Sequence, residues 1–257
     1  MFPILVSNGK PVACPAAMDN AIALVYAGGN THARTFLLGL QAQYSATVSA
    51  VKTVTMYTVP SGDGLLDALT MAVGTGDDKK LKLTAFYYVN RTIGLYNAAE
   101  EVTFVAGTVP LNTWAVFRAS IGSTGTVTLT PGATNYTTGY ADEAAAIVGL
   151  PATPTNETSL GYFTVLTKSG LVWIAGTDSL QGGATGNVSD DTNYYAATAL
   201  TLTQIAYPIR WDFGLGPYIN PVPGILHTDA EVAFVAKLAA SGTGGVTGEI
   251  VAWVATP

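Results

Sequence analysis

Charge is what this chain has least of. Charged residues make up 11% of its 257 positions, less than half the roughly 25% typical of soluble domains. Lys and Arg total only 11 against 17 Asp and Glu, giving a net charge of −6. A chain this poor in cations lacks the positive field on which phosphate binding draws, so no nucleic-acid partner is expected. The one basic cluster, Lys79, Lys80 and Lys82, follows Asp77 and Asp78 directly and reads as a solvated turn.

Cysteine and histidine are nearly missing as well. Cys14 stands alone, which rules out an internal disulfide and leaves it unable to build a zinc site by itself. The two histidines, His32 and His227, have no Asp, Glu or Cys at ligand spacing except Asp229. A lone His-x-Asp pair reads as a turn rather than half a site. Neither a metal nor any other cofactor is expected. Long hydrophobic runs are absent: Ala21 to Gly28 falls far short of the ~18 residues that cross a bilayer, so no membrane association is expected. Met1-Phe-Pro-Ile-Leu-Val carries no basic residue and meets polar Ser7, Asn8, Gly9 and Lys10 almost at once, so no secretory leader is expected.

The acids offer little chemistry. Glu100–Glu101, Asp142–Glu143 and Asp190–Asp191 are adjacent pairs. Glycoside hydrolysis needs two carboxyls at a set separation across a sugar, which neighbours in sequence do not supply. The default reading is solvated loop acids, with a loop Ca²⁺ at Asp190 and Asp191 the remaining alternative. No nucleophile elbow, P-loop or paired-histidine zinc motif occurs. No catalytic residue is assigned, and the chain is expected not to be an enzyme. Asn-x-Ser/Thr triplets at Asn90, Asn135, Asn156 and Asn187 are what a Thr-rich chain yields by chance.

What is abundant is apolar residues, at 49%, with 28 Gly and 13 Tyr. That composition argues against disorder and leaves Thr, Ser, Asn, Gly and Tyr to cover the exterior. Three regions are expected. Residues 1–78 look mixed: Asp19 and Asn20 sit where they would cap a helix over Ala21–Tyr26. Thr31–Gln43 has helical candidates in Phe36, Leu37 and Leu40, and Gly64–Val73 has the pattern of a short amphipathic helix. Ser45–Tyr57 instead alternates like a half-buried strand.

Residues 79–206 read as β throughout, with Thr- and Val-rich runs divided by glycine turns. Phe104-Val-Ala-Gly-Thr and Trp173-Ile-Ala-Gly-Thr echo one another as two uses of one strand-to-turn solution. Residues 207–257 open with a loop dense in proline and aromatics and close with a hairpin of Glu231–Leu238 and Gly248–Val254. The fold class is therefore mainly β, an antiparallel sandwich or barrel with one or two short helices in the N-terminal part.

Aromatic residues are the remaining functional signal, because exposed Tyr and Trp serve both protein interfaces and sugar stacking. Trp114, Trp173 and Trp253 fall in strands and are expected in the core. Trp211, Phe213 and Tyr218, in the Pro-rich loop, are the interface candidates.

A series of segments carries a resemblance. It runs Ala85-Phe-Tyr-Tyr-Val-Asn, Val102-Thr-Phe-Val-Ala-Gly-Thr-Val-Pro and Gly125-Thr-Val-Thr-Leu-Thr-Pro-Gly. It continues with Leu150-Pro-Ala-Thr-Pro, Leu160-Gly-Tyr-Phe-Thr-Val and Val172-Trp-Ile-Ala-Gly-Thr-Asp-Ser-Leu. In order and spacing these resemble a β-rich module of tailed-bacteriophage structural proteins, among them head decoration (cement) proteins and head fibres. The resemblance implies a protein that coats the outer capsid surface, stabilises the head and works as a homotrimer. Its partners would be the major capsid protein and itself, and its location the virion. The alternative is a head- or tail-fibre domain that binds host surface glycans.

Overall fold

The computed structural model describes residues 12–14, 22–26, 35–44, 52–60, 62–91, 93–183, 186–189, 192–204, 209–211, 218–228, 232–238 and 248–255. The fold is mainly β, built of antiparallel sheets, with one short helix among the described residues. The chain forms two compact units. One comprises Met1–Leu66, Arg91–Tyr96 and Leu200–Pro257; the other comprises Asp67–Asn90 and Asn97–Ala199.

The first unit joins the two ends of the chain. Thr35–Tyr44 lies between Gly248–Ala255 and Tyr218–Thr228, and Val12–Cys14 extends that sheet beyond Gly248–Ala255. A second sheet has Lys52–Pro60 beside Val232–Leu238, which in turn pairs Ile22–Tyr26. Thr203–Gln204 and Ile209–Trp211 add to the other edge of Lys52–Pro60.

These pairings correct the expected N-terminal helices. Ile22–Tyr26 and Thr35–Tyr44 are strands, because partners about 200 residues further along the chain offer them ladders that local sequence cannot reveal. The Gly64–Val73 helix is likewise replaced by the short strands Gly64–Leu65 and Met71–Val73. A ten-residue helix is marginal by itself, and pairing with Leu81–Leu83 buries Met71 instead. The Pro-rich loop is also partly strand. Tyr218–Thr228 accommodates Pro221 and Pro223 because its register slips between Pro221 and Leu226, so the missing N–H groups fall at an irregularity.

The second unit is a layered β structure. Its main sheet has the order Val127–Pro131, Trp114–Ile121, Thr158–Leu166, Asn193–Ala196. A two-stranded sheet pairs Gly107–Val109 with Trp173–Ala175, and a three-stranded one has Leu81–Leu83 between Glu100–Val102 and Met71–Val73. The two echoing segments of the sequence therefore meet: Val109 faces Trp173 and Gly107 faces Ala175 in one antiparallel ladder.

Side chains alternate between faces along a strand, so neighbouring rows of the main sheet serve different layers. In one row Phe117 opposes Phe163 and Phe163 opposes Tyr194. Phe117 and Phe163 stack at 5.2 Å, and Phe104 and Trp173 meet them edge to face at 5.3–5.9 Å. This aromatic cluster joins the two-stranded sheet to the main one. Trp173 is fully buried, as expected, with its indole N–H 3.1 Å from the Ser179 carbonyl oxygen. Trp114 is only half-buried, and Trp253 lies on the strand Gly248–Ala255.

The next row, Arg118–Tyr162–Tyr195, points to the opposite face. There the helix Glu143–Val148 lies against Trp114–Ile121 and Thr158–Leu166. Asp142 starts it by accepting from the Ala145 N–H at 2.7 Å, an N-cap contribution of about 1 kcal/mol. The Ala run favours helix. Gly149 and the following Leu150-Pro151 stop it. The only helix among the described residues thus lies in the β-rich middle of the chain, not in the N-terminal part.

Candidate functional site

The sheet face under this helix carries a polar constellation drawn from three elements. Glu143, the first helical residue, extends over the sheet and receives three hydrogen bonds on one oxygen, Oε1. The Thr164 hydroxyl donates at 2.6 Å, the Asn193 amide at 2.8 Å and the Tyr195 hydroxyl at 3.0 Å. Thr164 and Asn193 are direct cross-strand partners, so the sheet places two of the donors side by side.

Partial burial alone would raise the Glu143 carboxyl pKa, but the three donors outweigh it and hold the pKa below its ordinary value. Glu143 is therefore an anchored carboxylate at neutral pH. Tyr195 is shifted the other way, chiefly because its hydroxyl donates to Glu143, with partial burial adding to this.

Tyr195 also stacks on Tyr162, ring centres 4.7 Å apart and planes 19° from parallel. It is 37% exposed, at the edge of the sheet. Arg118, next in the row, is committed elsewhere. Its Nε donates to the Pro151 carbonyl at 2.5 Å and its Nη1 to the Ser159 hydroxyl at 3.0 Å.

Other acids among the described residues hold turns and strands in place. Glu101 reaches the turn after Met71–Val73, where the N–H groups of Thr75, Gly76 and Asp77 donate to its carboxylate at 2.7–3.0 Å. Backbone N–H groups, that of Gly76 foremost, hold its pKa below the ordinary value. Its neighbour Glu100 instead accepts from the Asn97 side-chain amide. Asp178 accepts from the Ile174 N–H and the Asn187 amide, and Glu157 from the Ser120 hydroxyl. Asp67 accepts from the Tyr87 N–H.

Of the lysine cluster, Lys79 and Lys80 lie in the turn before Leu81–Leu83, whereas Lys82 is on that strand. Lys80 pairs with Asp77 at 3.4 Å, and Lys82 donates to Thr75 Oγ1. Among the described residues no group of three or more His, Cys, Asp or Glu side chains is arranged to hold a metal ion. Among those residues, too, no helix is long and apolar enough to cross a membrane.

Trp211 ends the strand Ile209–Trp211 and Tyr218 begins Tyr218–Thr228. Phe213, His32 and the pair Asp190–Asp191 lie outside the described residues. Of the four Asn triplets, Asn90 and Asn135 are buried and engaged inside the fold. Sequence reasoning set Asp142–Glu143 aside as loop acids. The signal that would have found them is an acid pair directly before an Ala run, the pattern of a capped helix start.

No protein-family model matches the chain, no characterised protein matches it in sequence, and no solved structure matches its fold.

Proposed function

We propose that this chain is a bacteriophage capsid decoration protein that binds the outer capsid surface and stabilises the head as a homotrimer. The supporting observation is the use to which its acids are put. Glu101, Asp142, Glu143, Glu157 and Asp178 each accept hydrogen bonds that fasten a turn, a cap or a strand. A chain with 11% charged residues that spends its carboxylates on architecture fits a protein acting through its surfaces. The phage-module resemblance of the segments between Lys79 and Tyr195 supplies the particular setting.

The mechanism is mass action. A partner that binds only the assembled lattice stabilises it by its binding free energy. Low charge and many Thr, Ser and Tyr side chains suit large, partly wet contacts with the major capsid protein and with copies of the chain itself. Trp211, Phe213 and Tyr218 are proposed as contact residues.

The test is binding of the purified chain to assembled capsids and to unassembled major capsid protein, with sedimentation of the chain alone. The expected result is a trimer that saturates capsids and ignores free subunits. A monomer without affinity for capsids overturns the proposal.

A further inference from the structure

Tyr195 presents one ring face to Tyr162 and sits on the last strand of its sheet; Met71–Val73, the edge of the three-stranded sheet, runs close to that strand, yet Tyr195 stays 37% exposed. Its same-face neighbours along the strand direction are Asn193 and Ala197, one polar and one small. Neither carries the bulk to cover an aromatic ring. Glu143 stands beside that ring, with all three of its donors gathered on Oε1. Oε2 thus has no donor among the described residues.

We infer that the exposed Tyr195 face and the Glu143 carboxylate together form a binding subsite for a neutral saccharide, on the sheet face beside the helix Glu143–Val148. The inference stands independently of the capsid reading, because a coat protein and a fibre domain are equally able to carry such a site.

The chemistry is that of sugar recognition in general. The C–H face of a pyranose ring packs against an aromatic face, while its hydroxyls donate to a fixed acceptor. Both elements are held in advance. Stacking on Tyr162 fixes the Tyr195 ring, and three donors fix the carboxylate, so little conformational freedom is lost on binding. An ionised carboxylate only accepts, which suits hydroxyl donors. The same charge repels anionic sugars. Arg118, in the same row, keeps its charge, but its Nε and Nη1 donors are taken by the Pro151 carbonyl and the Ser159 hydroxyl rather than offered to an anion.

The pleat of the strand divides the Tyr194–Tyr195 doublet between the two faces of the sheet. Tyr194 turns into the aromatic core beside Phe163, and only Tyr195 is offered to a ligand.

One open ring and one acceptor make a weak subsite, on the order of millimolar affinity, useful when many copies act together. The test is saturation-transfer NMR of the full chain with neutral gluco-, galacto- and manno-trisaccharides, and a hexuronate trisaccharide as the anionic arm. Ring C–H protons of at least one neutral sugar are expected to receive saturation, and those of the hexuronate are not.

Tyr195→Ala should lower the apparent affinity about tenfold or more, whereas Tyr195→Phe, which keeps the stack, should cost only about two- to threefold. Glu143→Gln should weaken binding several-fold and admit the hexuronate. It provides a second reading if Tyr195→Ala fails to fold. Absence of transfer to every neutral sugar at about 10 mM, more than the affinity expected of such a subsite, overturns the inference. So does binding unchanged in both Tyr195→Ala and Glu143→Gln, or a wild-type preference for the hexuronate.

Discussion

The side chain of Asn135 stands in for a strand beside Val116. Its Oδ1 accepts from the Val116 N–H at 3.1 Å, and its Nδ2 donates to the Val116 carbonyl at 2.7 Å. Val116 and Asn135 are both fully buried, beyond the point where the ladder between Trp114–Ile121 and Val127–Pro131 ends at Phe117 and Pro131. Replacing Asn135 by Leu should leave the Val116 N–H without its partner and weaken the satisfaction of its carbonyl, at a cost of about 2–4 kcal/mol. Urea unfolding should show this as a lower midpoint at unchanged slope. A loss under about 0.5 kcal/mol, the scale of an ordinary surface substitution, would contradict this account.

The aromatic cluster makes a second expectation. Phe117 touches Phe104, Phe163 and Trp173 and is almost fully buried. Phe117→Ala should cost about 3–5 kcal/mol, since the neighbouring rings refill the space only in part. Phe117→Leu should lose less, and near-ultraviolet circular dichroism should report the loosened Trp173 environment in both variants.

Acid stability should depend on Glu143. Its carboxyl is held below the ordinary value of 4.5 in the folded chain. The stabilisation is therefore complete above that value and disappears as pH falls through the lower, folded-state one. Between about pH 5 and 3, the range spanning an ordinary carboxyl titration, Glu143→Gln should show a shallower decline in urea midpoint than the parent chain. Parallel declines would show that the three donors do not favour the ionised form.

Tyrosine ionisation should be divided. Burial pushes Tyr88, Tyr136 and Tyr194 up to about 12, with Glu100 adding to the effect at Tyr88. In a spectrophotometric titration these three should remain protonated at about pH 11, where exposed phenols are largely ionised. Since the unfolded phenols ionise near pH 10, stability should fall as pH rises from there through about 12. Tyr88→Phe should remove one late-titrating group, and it should leave the Gly122 carbonyl with the Gly125 N–H alone in place of two donors.

Much of the fold was legible along the chain because a strand writes its burial pattern in alternate residues. Leu81 and Leu83 are buried on either side of the half-exposed Lys82, and Trp173 sits at the centre of the core. The turn at Lys79 and Lys80 followed from adjacent charges alone, whereas Lys82 belongs to the strand that comes after it. The candidate site was not legible in the same way. Asp142 and Glu143 look alike in sequence, yet one caps a helix and the other crosses to meet Thr164, Asn193 and Tyr195, the last 52 residues away.

The sequence by itself determined a mainly β protein of low charge, because composition and period-two alternation are local properties. Tertiary structure decided that Thr35–Tyr44 is a strand, since its partners Tyr218–Thr228 and Gly248–Ala255 come from the far end of the chain. It also decided which tyrosine of the doublet faces outward. That choice depends on the register against Thr158–Leu166, and a slip of one residue would exchange the two faces.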